Sequence, residues 1–182
     1  MHGGTISVTS GGKGLGATFT LLLPSSAPDV PLTASSDSAA PENSLPSLVG
    51  VEVLLVEDDP DTRELTTFLL EQAGARAIAV AGAADALNCL AQCSPNILVC
   101  DIAMPQMDGY QLLQRVRAQP QYQKLPAIAL TACAGPKDAQ YAIQAGFNQH
   151  LGKPVPPQRL LGAIEQLMRS QPEWRSPLKR GL

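Results

Sequence analysis

Between residues 51 and 168, short apolar runs alternate with longer segments that have helical periodicity. The first run, 51–56, is almost wholly apolar and ends in acidic residues, which is typical of a parallel strand buried on both faces. Asp59 and Pro60 then predict a helix start, and Gly74 predicts its end. The predicted strands are 51–56, 76–80, 96–100, 127–130 and 147–151, and the helices between and after them are 60–73, 83–92, 109–118, 136–145 and 156–168.

Five strands that alternate with five helices predict an α/β fold. Strands joined through helices run parallel, and their helices cover both faces of the sheet. The sequence therefore predicts a doubly wound, five-stranded parallel sheet. Its strands would all end at one edge, which is where ligands bind in open sheets of this kind.

The flanking segments have a different pattern. Residues 1–23 alternate apolar and polar positions around a glycine-rich turn, which predicts a β-hairpin, and a hairpin of this size is marginally stable alone. Residues 24–49 are rich in proline, serine and alanine, and we interpret them as a flexible linker. The globular domain is assigned to 50–169, and 170–182 to a tail that contains Trp174.

Composition excludes several classes of protein. Hydrophobic residues make up 45%, enough for a core, and a net charge of -3 disfavours general nucleic-acid binding. No apolar run approaches the length of a membrane span, and the N-terminus lacks a signal-peptide pattern. We therefore expect a cytoplasmic location without a membrane span, and reduced thiols rather than a disulfide framework or a zinc site for the four cysteines.

Chemically reactive side chains follow the predicted strands. Glu57 and Asp58 come after the first strand, Asp101 after the third, Thr131 after the fourth and Lys153 after the fifth. Crowded carboxylates repel one another, and Mg²⁺, which prefers oxygen ligands, would relieve the repulsion. A metal, a lysine and a hydroxyl together match the charges of phosphoryl transfer, with one carboxylate free as the nucleophile. Asp101, on the central strand, is the candidate nucleophile.

Residues 53–168 resemble the receiver domain of two-component response regulators. The matching stretches are VLLVEDD at 53–59, CDIAMPQMDG at 100–109, ALTA at 129–132 and LGKP at 151–154. The resemblance implies a flavodoxin-like sheet with strand order 2-1-3-4-5. It also implies a phosphoacceptor module of a His-to-Asp phosphorelay, which changes conformation to signal and catalyses its own phosphorylation and dephosphorylation.

The resemblance further implies a role for each site residue. Asp101 would take the phosphoryl group from a phosphohistidine. Mg²⁺ would be held by Glu57, Asp58, Asp101 and the backbone carbonyl of Ala103.

Thr131 and Lys153 would contact the phosphoryl group, and the bond between Lys153 and Pro154 would be cis. We expect Lys153 to face solvent, so that its removal costs little stability. Where receivers commonly carry Tyr or Phe as a switch residue, this chain has His150. His150 either replaces the aromatic ring sterically or acts as a pH-sensitive switch.

The N-terminal segment resembles the last hairpin of a histidine-kinase ATPase domain, through HGGTISV at 2–8 and GLGATFTLLLP at 14–24. A kinase fragment, a linker and a receiver in this order imply the C-terminal part of a hybrid sensor histidine kinase. The other ATP-binding motifs are not in this sequence, so we expect no ATP binding by this chain. The implied partners are a histidine kinase or a histidine phosphotransfer domain, with a homodimer as a further option.

Three other classes of protein share some of these features. A phosphatase of the haloacid-dehalogenase type needs a second Asp two residues after the nucleophile, where this chain has Ala103. A pseudo-receiver that acts only as a docking module usually lacks the phosphoacceptor or the lysine, and both are present here. A DNA-binding regulator would need an output domain after Met168. In this sequence only the short tail follows, so we expect no direct binding to nucleic acid.

Overall fold

The computed structural model describes residues 5–12, 16–22, 46–132 and 135–170. The chain divides into two compact units, Met1–Glu42 and Asn43–Leu182. The linker prediction for 24–45 and the tail from residue 171 lie outside the described residues.

The described part of the first unit is a pair of antiparallel strands, β1 (Thr5–Ser10) and β2 (Ala17–Leu22). Val8 lies opposite Phe19, and Ile6 occupies the same face as Val8 two residues earlier. All three side chains are exposed. The alternation in the sequence thus produces the predicted strand pair, with one apolar face.

The second unit contains a five-stranded parallel sheet in the order β4-β3-β5-β6-β7. Counted from β3, this is the predicted order 2-1-3-4-5, and the predicted fold class is confirmed. The strands are β3 (Glu52–Val56), β4 (Arg76–Val80), β5 (Ile97–Asp101), β6 (Ala127–Thr131) and β7 (Gln149–Gly152). The helices are α1 (Pro60–Gln72), α2 (Ala83–Leu90), α3 (Gly109–Arg117), α4 (Pro136–Gln144) and α5 (Pro157–Ser170), with a short 3₁₀ helix at Pro120–Tyr122.

Two apolar layers hold the helices against the sheet. Alternate residues of β3 enter opposite layers: Leu54 packs with α2, α3 and α4, and Leu55 packs with α1 and α5. Every residue of β3, β5 and β6 is buried, as expected for strands covered on both sides. The two buried layers therefore hold the five strands in register, with all their carboxyl ends at one edge of the sheet.

Two helices begin at aspartate caps beside that edge. Asp59 Oδ1 accepts a hydrogen bond from Thr62 N at 2.8 Å, and Asp108 Oδ1 accepts one from Gln111 N at 2.8 Å. The bonds satisfy amides that have no partner in the first turn of a helix. The hydrogen bond with Thr62 also lowers the pKa of Asp59. Asp59 thus caps α1, while Glu57 and Asp58 precede the cap.

Most observed elements begin or end within one or two residues of the predicted bounds, and two of the differences involve the core. Leu48, predicted to belong to the linker, is only 1% exposed, and its amide donates to the carbonyl of Ala73 at 2.7 Å. Phe147, predicted to begin the last strand, precedes β7, and its ring meets that of Tyr110 edge-on. In both cases a buried apolar side chain contributes to the core from outside a regular element.

No helix within the described ranges has the length and apolar character that crossing a membrane requires.

Candidate functional site

The loop after β3 places the first two carboxylates of the site. Glu57 is 1% exposed, and its amide donates to the carbonyl of Val80 at 3.1 Å. The guanidinium of Arg63, one turn into α1, donates to the carbonyls of Glu57 at 2.7 Å and Asp58 at 3.1 Å. Arg63 therefore fixes the backbone of the acidic pair. Sequence reasoning missed this role, and the only signal was a basic residue early in the helix that follows the acidic loop.

Asp101, the last residue of β5, is 5% exposed. Its Oδ1 accepts a hydrogen bond from the amide of Ala103 at 3.0 Å, which orients the carboxylate. The returning chain packs tightly here, because a Cβ atom on Gly109 would lie 2.6 Å from the carbonyl oxygen of Asp101. Gly109 is thus required by a close approach, a role that the sequence analysis did not assign to it.

Lys153 links the two strand ends. Its Nζ lies 2.7 Å from Glu57 Oε2 and 2.7 Å from Asp101 Oδ2. Its amide donates to the carbonyl of Thr131 at 2.7 Å, and the Lys153–Pro154 peptide bond is cis. The side chain is 25% exposed, so it does not simply face solvent as the sequence suggested.

Burial and charge act in opposite directions at this site. Burial raises the pKa of Glu57, although the neighbouring Lys153 ammonium lowers it in part. Burial also disfavours the charged form of Lys153, but its hydrogen bonds to Asp101 and Glu57 outweigh that effect and raise its pKa. The ammonium is therefore held in its charged form between two carboxylates.

The acidic cluster has the donor set of a hard cation. Glu57, Asp58 and Asp101 each offer an oxygen, and these oxygens lie within 4.8 Å of one another. Among the described residues, no donor reaches the buried Oε1 of Glu57. Three carboxylates face one ammonium, so an oxygen-coordinated divalent cation would satisfy both the unpaired oxygen and the excess negative charge.

Thr131 and His150 occupy the next two strands of the same edge. Thr131, the last residue of β6, is 6% exposed, and its Oγ1 lies 2.8 Å from His150 Nε2. His150 lies opposite Ala129 on β7. A histidine at the predicted switch position is thus coupled directly to the predicted phosphoryl-contacting hydroxyl.

The structure brings together most of the residues that the sequence singled out. Glu57, Asp58, Asp101 and Lys153 form one cluster, and Thr131 is joined to it through the amide of Lys153. Ala103 contributes its amide to Asp101, while its side chain is exposed. The arrangement offers three carboxylates to a cation and places an ammonium beside Asp101, which suits a carboxylate that accepts a phosphoryl group.

Residues 53–165 match the family model of the response regulator receiver domain. The chain is 47% identical over 120 residues to an uncharacterized 14.6 kDa protein in the sodA1 3′ region of Leptolyngbya boryana, a match that covers 66% of this chain and 92% of that protein. It is 35% identical over 122 residues to the response regulator Rre1 of Synechocystis, covering 66% of this chain and 53% of Rre1. The match thus spans only about half the length of Rre1.

A solved receiver domain has a similar fold. The receiver domain of the sensor histidine kinase PA1611 from Pseudomonas aeruginosa, solved with magnesium coordinated in its active-site cleft, is 32% identical. The TM-score is 0.60, and the alignment covers 65% of this chain and 97% of that domain. The family model covers most of the chain, and the strand order of the sheet is the one that the receiver resemblance implied. The chain therefore belongs to the response regulator receiver domain family and takes a phosphoacceptor role in two-component signalling.

Proposed function

We propose that Asp101 is the phosphoacceptor of a His-to-Asp phosphorelay and that the reaction requires Mg²⁺. The observation that carries the proposal is the position of Lys153, whose ammonium contacts both Asp101 and Glu57 at 2.7 Å. A phosphoryl group on Asp101 would bring new negative charge beside this ammonium. The same contact therefore orients the nucleophile before the reaction and stabilises the product after it.

In the proposed reaction, a carboxylate oxygen of Asp101 attacks the phosphorus of a phosphohistidine. A phosphorus–oxygen bond forms, the phosphorus–nitrogen bond breaks, and the imidazole leaves with its electron pair. Ala103 N holds Oδ1 of Asp101 in place during the attack. Lys153 and the hydroxyl of Thr131 then contact the phosphoryl oxygens.

Glu57, Asp58, Asp101 and the carbonyl of Ala103 would hold the metal. The unpaired Oε1 of Glu57 supports this assignment, since a buried carboxylate oxygen without a donor is costly. When bound, Mg²⁺ supplies positive charge that offsets the repulsion between the carboxylates and the incoming phosphoryl group.

The switch would pass through Thr131 and His150. Thr131 Oγ1 is engaged with His150 Nε2 at 2.8 Å, so a hydroxyl that turns toward a phosphoryl group must change that contact. His150 would then move with it, as the aromatic switch residue does in the receivers that this chain resembles.

The wider context is also a proposal. The similarity to a receiver from a sensor histidine kinase, together with the N-terminal hairpin, supports a C-terminal part of a hybrid kinase. Its segments would be a kinase hairpin at 1–23, a linker that starts at residue 24 and ends before the buried Leu48, the receiver domain, and a tail after Ser170. Its partners would be a histidine kinase or a histidine phosphotransfer domain, with a homodimer as a further option. The parent protein would be the kinase, and this chain would act only on its own aspartyl phosphate.

The test is incubation of the full chain with acetyl phosphate and Mg²⁺, followed by intact mass measurement. The expected result is the gain of one phosphoryl group, absent in Asp101→Ala and absent in excess chelator. Asp61→Asn, which changes an exposed aspartate of α1, is the matched control and should phosphorylate normally. No mass gain in the folded wild type would favour the docking-only pseudo-receiver, and phosphorylation in chelator would refute the metal requirement.

A further inference from the structure

Two cysteines meet at the opposite edge of the sheet from Asp101. Cys89 is in the last turn of α2, Cys93 follows the helix, and their Sγ atoms are 2.6 Å apart. The amide of Cys93 donates to the carbonyl of Cys89 at 2.7 Å, so the chain keeps one helical turn between them. Helical geometry at this spacing puts the two Cα atoms about 6 Å apart, within the range of disulfide-bonded pairs.

The backbone around the pair is held from the other side by Tyr122. Its hydroxyl lies 2.8 Å from the carbonyl of Leu90 and 2.9 Å from the carbonyl of Cys93. Tyr122 is 1% exposed, while both cysteines are only partly buried. The turn is therefore anchored in the core, while neither of its two cysteines is fully buried.

We propose that Cys89 and Cys93 form a reversible disulfide when the protein meets a peroxide. The sulfur atoms need to approach by only about 0.5 Å to reach the bond length of a disulfide. The site is separate from phosphoryl transfer, because it precedes β5 while Asp101 ends that strand, about 13 Å farther along. It does not depend on the proposed function.

The chemistry proceeds in two balanced steps. The sulfur of Cys89 attacks one peroxide oxygen and breaks the oxygen–oxygen bond, which gives a sulfenic acid and one water. The sulfur of Cys93 then attacks the sulfur of Cys89, and hydroxide leaves with the proton of Cys93 as a second water. In sum, two thiols and one hydrogen peroxide give one disulfide and two waters.

The order of the two steps follows from the surroundings of Cys93. Burial, the hydrogen bond with Cys89 and nearby negative charge raise the pKa of Cys93 to about 12. Cys93 therefore stays protonated at neutral pH and is a poor first nucleophile, since the thiolate is the reactive form. Cys89 therefore reacts first. Cys93 resolves the sulfenic acid because its sulfur already lies 2.6 Å from that of Cys89 and the departing hydroxide takes up its proton.

Cys100 provides an internal control. It is fully buried, and its thiol donates to the carbonyl of Asp101 at 2.9 Å. Trypsin should release residues 77–115 as one peptide, which contains Cys89, Cys93 and Cys100. A single peptide thus reports all three thiols.

The test treats the reduced full chain with hydrogen peroxide, then alkylates it with N-ethylmaleimide in denaturant and digests it for mass spectrometry. The expected peptide is two hydrogens lighter and carries one maleimide, on Cys100, and dithiothreitol restores three maleimides. Three maleimides after peroxide, a sulfinic acid at Cys89 without a disulfide, or a bond to Cys100 or Cys133 would each overturn the proposal.

Two variants and a solvent control test the order and the role of the fold. Cys93→Ser should stop at a sulfenic acid on Cys89 that dimedone traps, and Cys89→Ser should give no adduct at Cys93. In the native chain the disulfide should form about tenfold faster, or more, than in urea, because the fold holds the sulfurs together. Equal rates in the two solvents would show that the fold does not build the site.

Discussion

Lys153 is the cation that the two buried carboxylates share, and its removal should cost stability in metal-free buffer. In Lys153→Ala, Glu57 and Asp101 would face each other without the ammonium that now lies 2.7 Å from each. Breaking a buried pair costs about 3–5 kcal/mol, and the partial exposure of Lys153 reduces the expected loss to about 1–3 kcal/mol.

The measurement for this variant is urea unfolding in the presence of chelator. Lys124→Ala, which removes an exposed lysine, is the matched control and should change the free energy of unfolding by less than about 0.5 kcal/mol. Equal losses in the two variants would contradict the role of Lys153 in charge compensation.

The reactivity of the Cys93 thiol is a second property that belongs to one residue. With a pKa raised to about 12, Cys93 is a thiolate in only on the order of 0.1% of folded molecules at pH 9.0. This fraction is several hundredfold smaller than that of an unperturbed thiol at the same pH. The greater nucleophilicity of a more basic thiolate offsets part of this difference. We therefore expect iodoacetamide to alkylate Cys93 at least about tenfold more slowly in the folded chain than in denaturant. Residue-resolved mass spectrometry under reducing conditions measures both rates.

The same shift predicts a direction for stability. The folded state keeps the proton of Cys93 where the unfolded state releases it, so the contribution of Cys93 is complete below pH 9.0 and is lost as the pH rises toward 12. Alkylation of Cys93 at equal rates in the folded and unfolded chain would show that its environment does not protect the proton.

At the scale of the elements, one residue of the segment before β3, Leu48, belongs to the core. Leu48 is 1% exposed and packs in the layer of α1 and α5, whereas its neighbour Val49 is 79% exposed. Leu48→Ala should therefore reduce the free energy of unfolding by about 2–4 kcal/mol, the cost of a buried cavity. Val49→Ala should change it by less than about 0.5 kcal/mol.

This pair of variants is compared by chemical denaturation of the full chain. A small and equal effect of both would mean that residues 46–49 behave as linker in solution. Leu48 and Val49 are both aliphatic and adjacent in the chain, so a difference between the two variants measures burial and not local sequence.

At the scale of the whole molecule, magnesium binding should stabilise the fold. Glu57 follows β3 and Asp101 ends β5, so the ligands meet only in the folded chain. A ligand that binds only the folded state adds about 2.7 kcal/mol at a concentration of 100 times its Kd, which raises Tm by several degrees.

The measurement is thermal unfolding with and without Mg²⁺. Asp58→Asn should lose most of the increase in Tm, whereas Asp61→Asn, on the exposed first turn of α1, should retain it. An equal increase in both variants would place the ion somewhere other than the acidic cluster.

Much of this molecule could be predicted because its signals are local. The apolar run that becomes β3, the Asp59 cap and the alternation of strands with helices depend on near neighbours in the chain, and they predicted the parallel sheet. The strand order was predicted from the resemblance to receiver domains. Parallel strands bring their carboxyl ends to one edge, so Glu57 and Asp101 could be expected to lie close together.

Other features depend on distances between parts of the chain that are far apart in sequence. Lys153 contacts Glu57 and Asp101, which are 96 and 52 positions away, and the Oε1 of Glu57 is left without a donor. The packing of Leu48 and the anchoring of the Cys89–Cys93 turn by Tyr122 are of the same kind. Periodicity specifies which face a side chain occupies, but these contacts also depend on strand register, rotamers and packing, which only the folded chain decides.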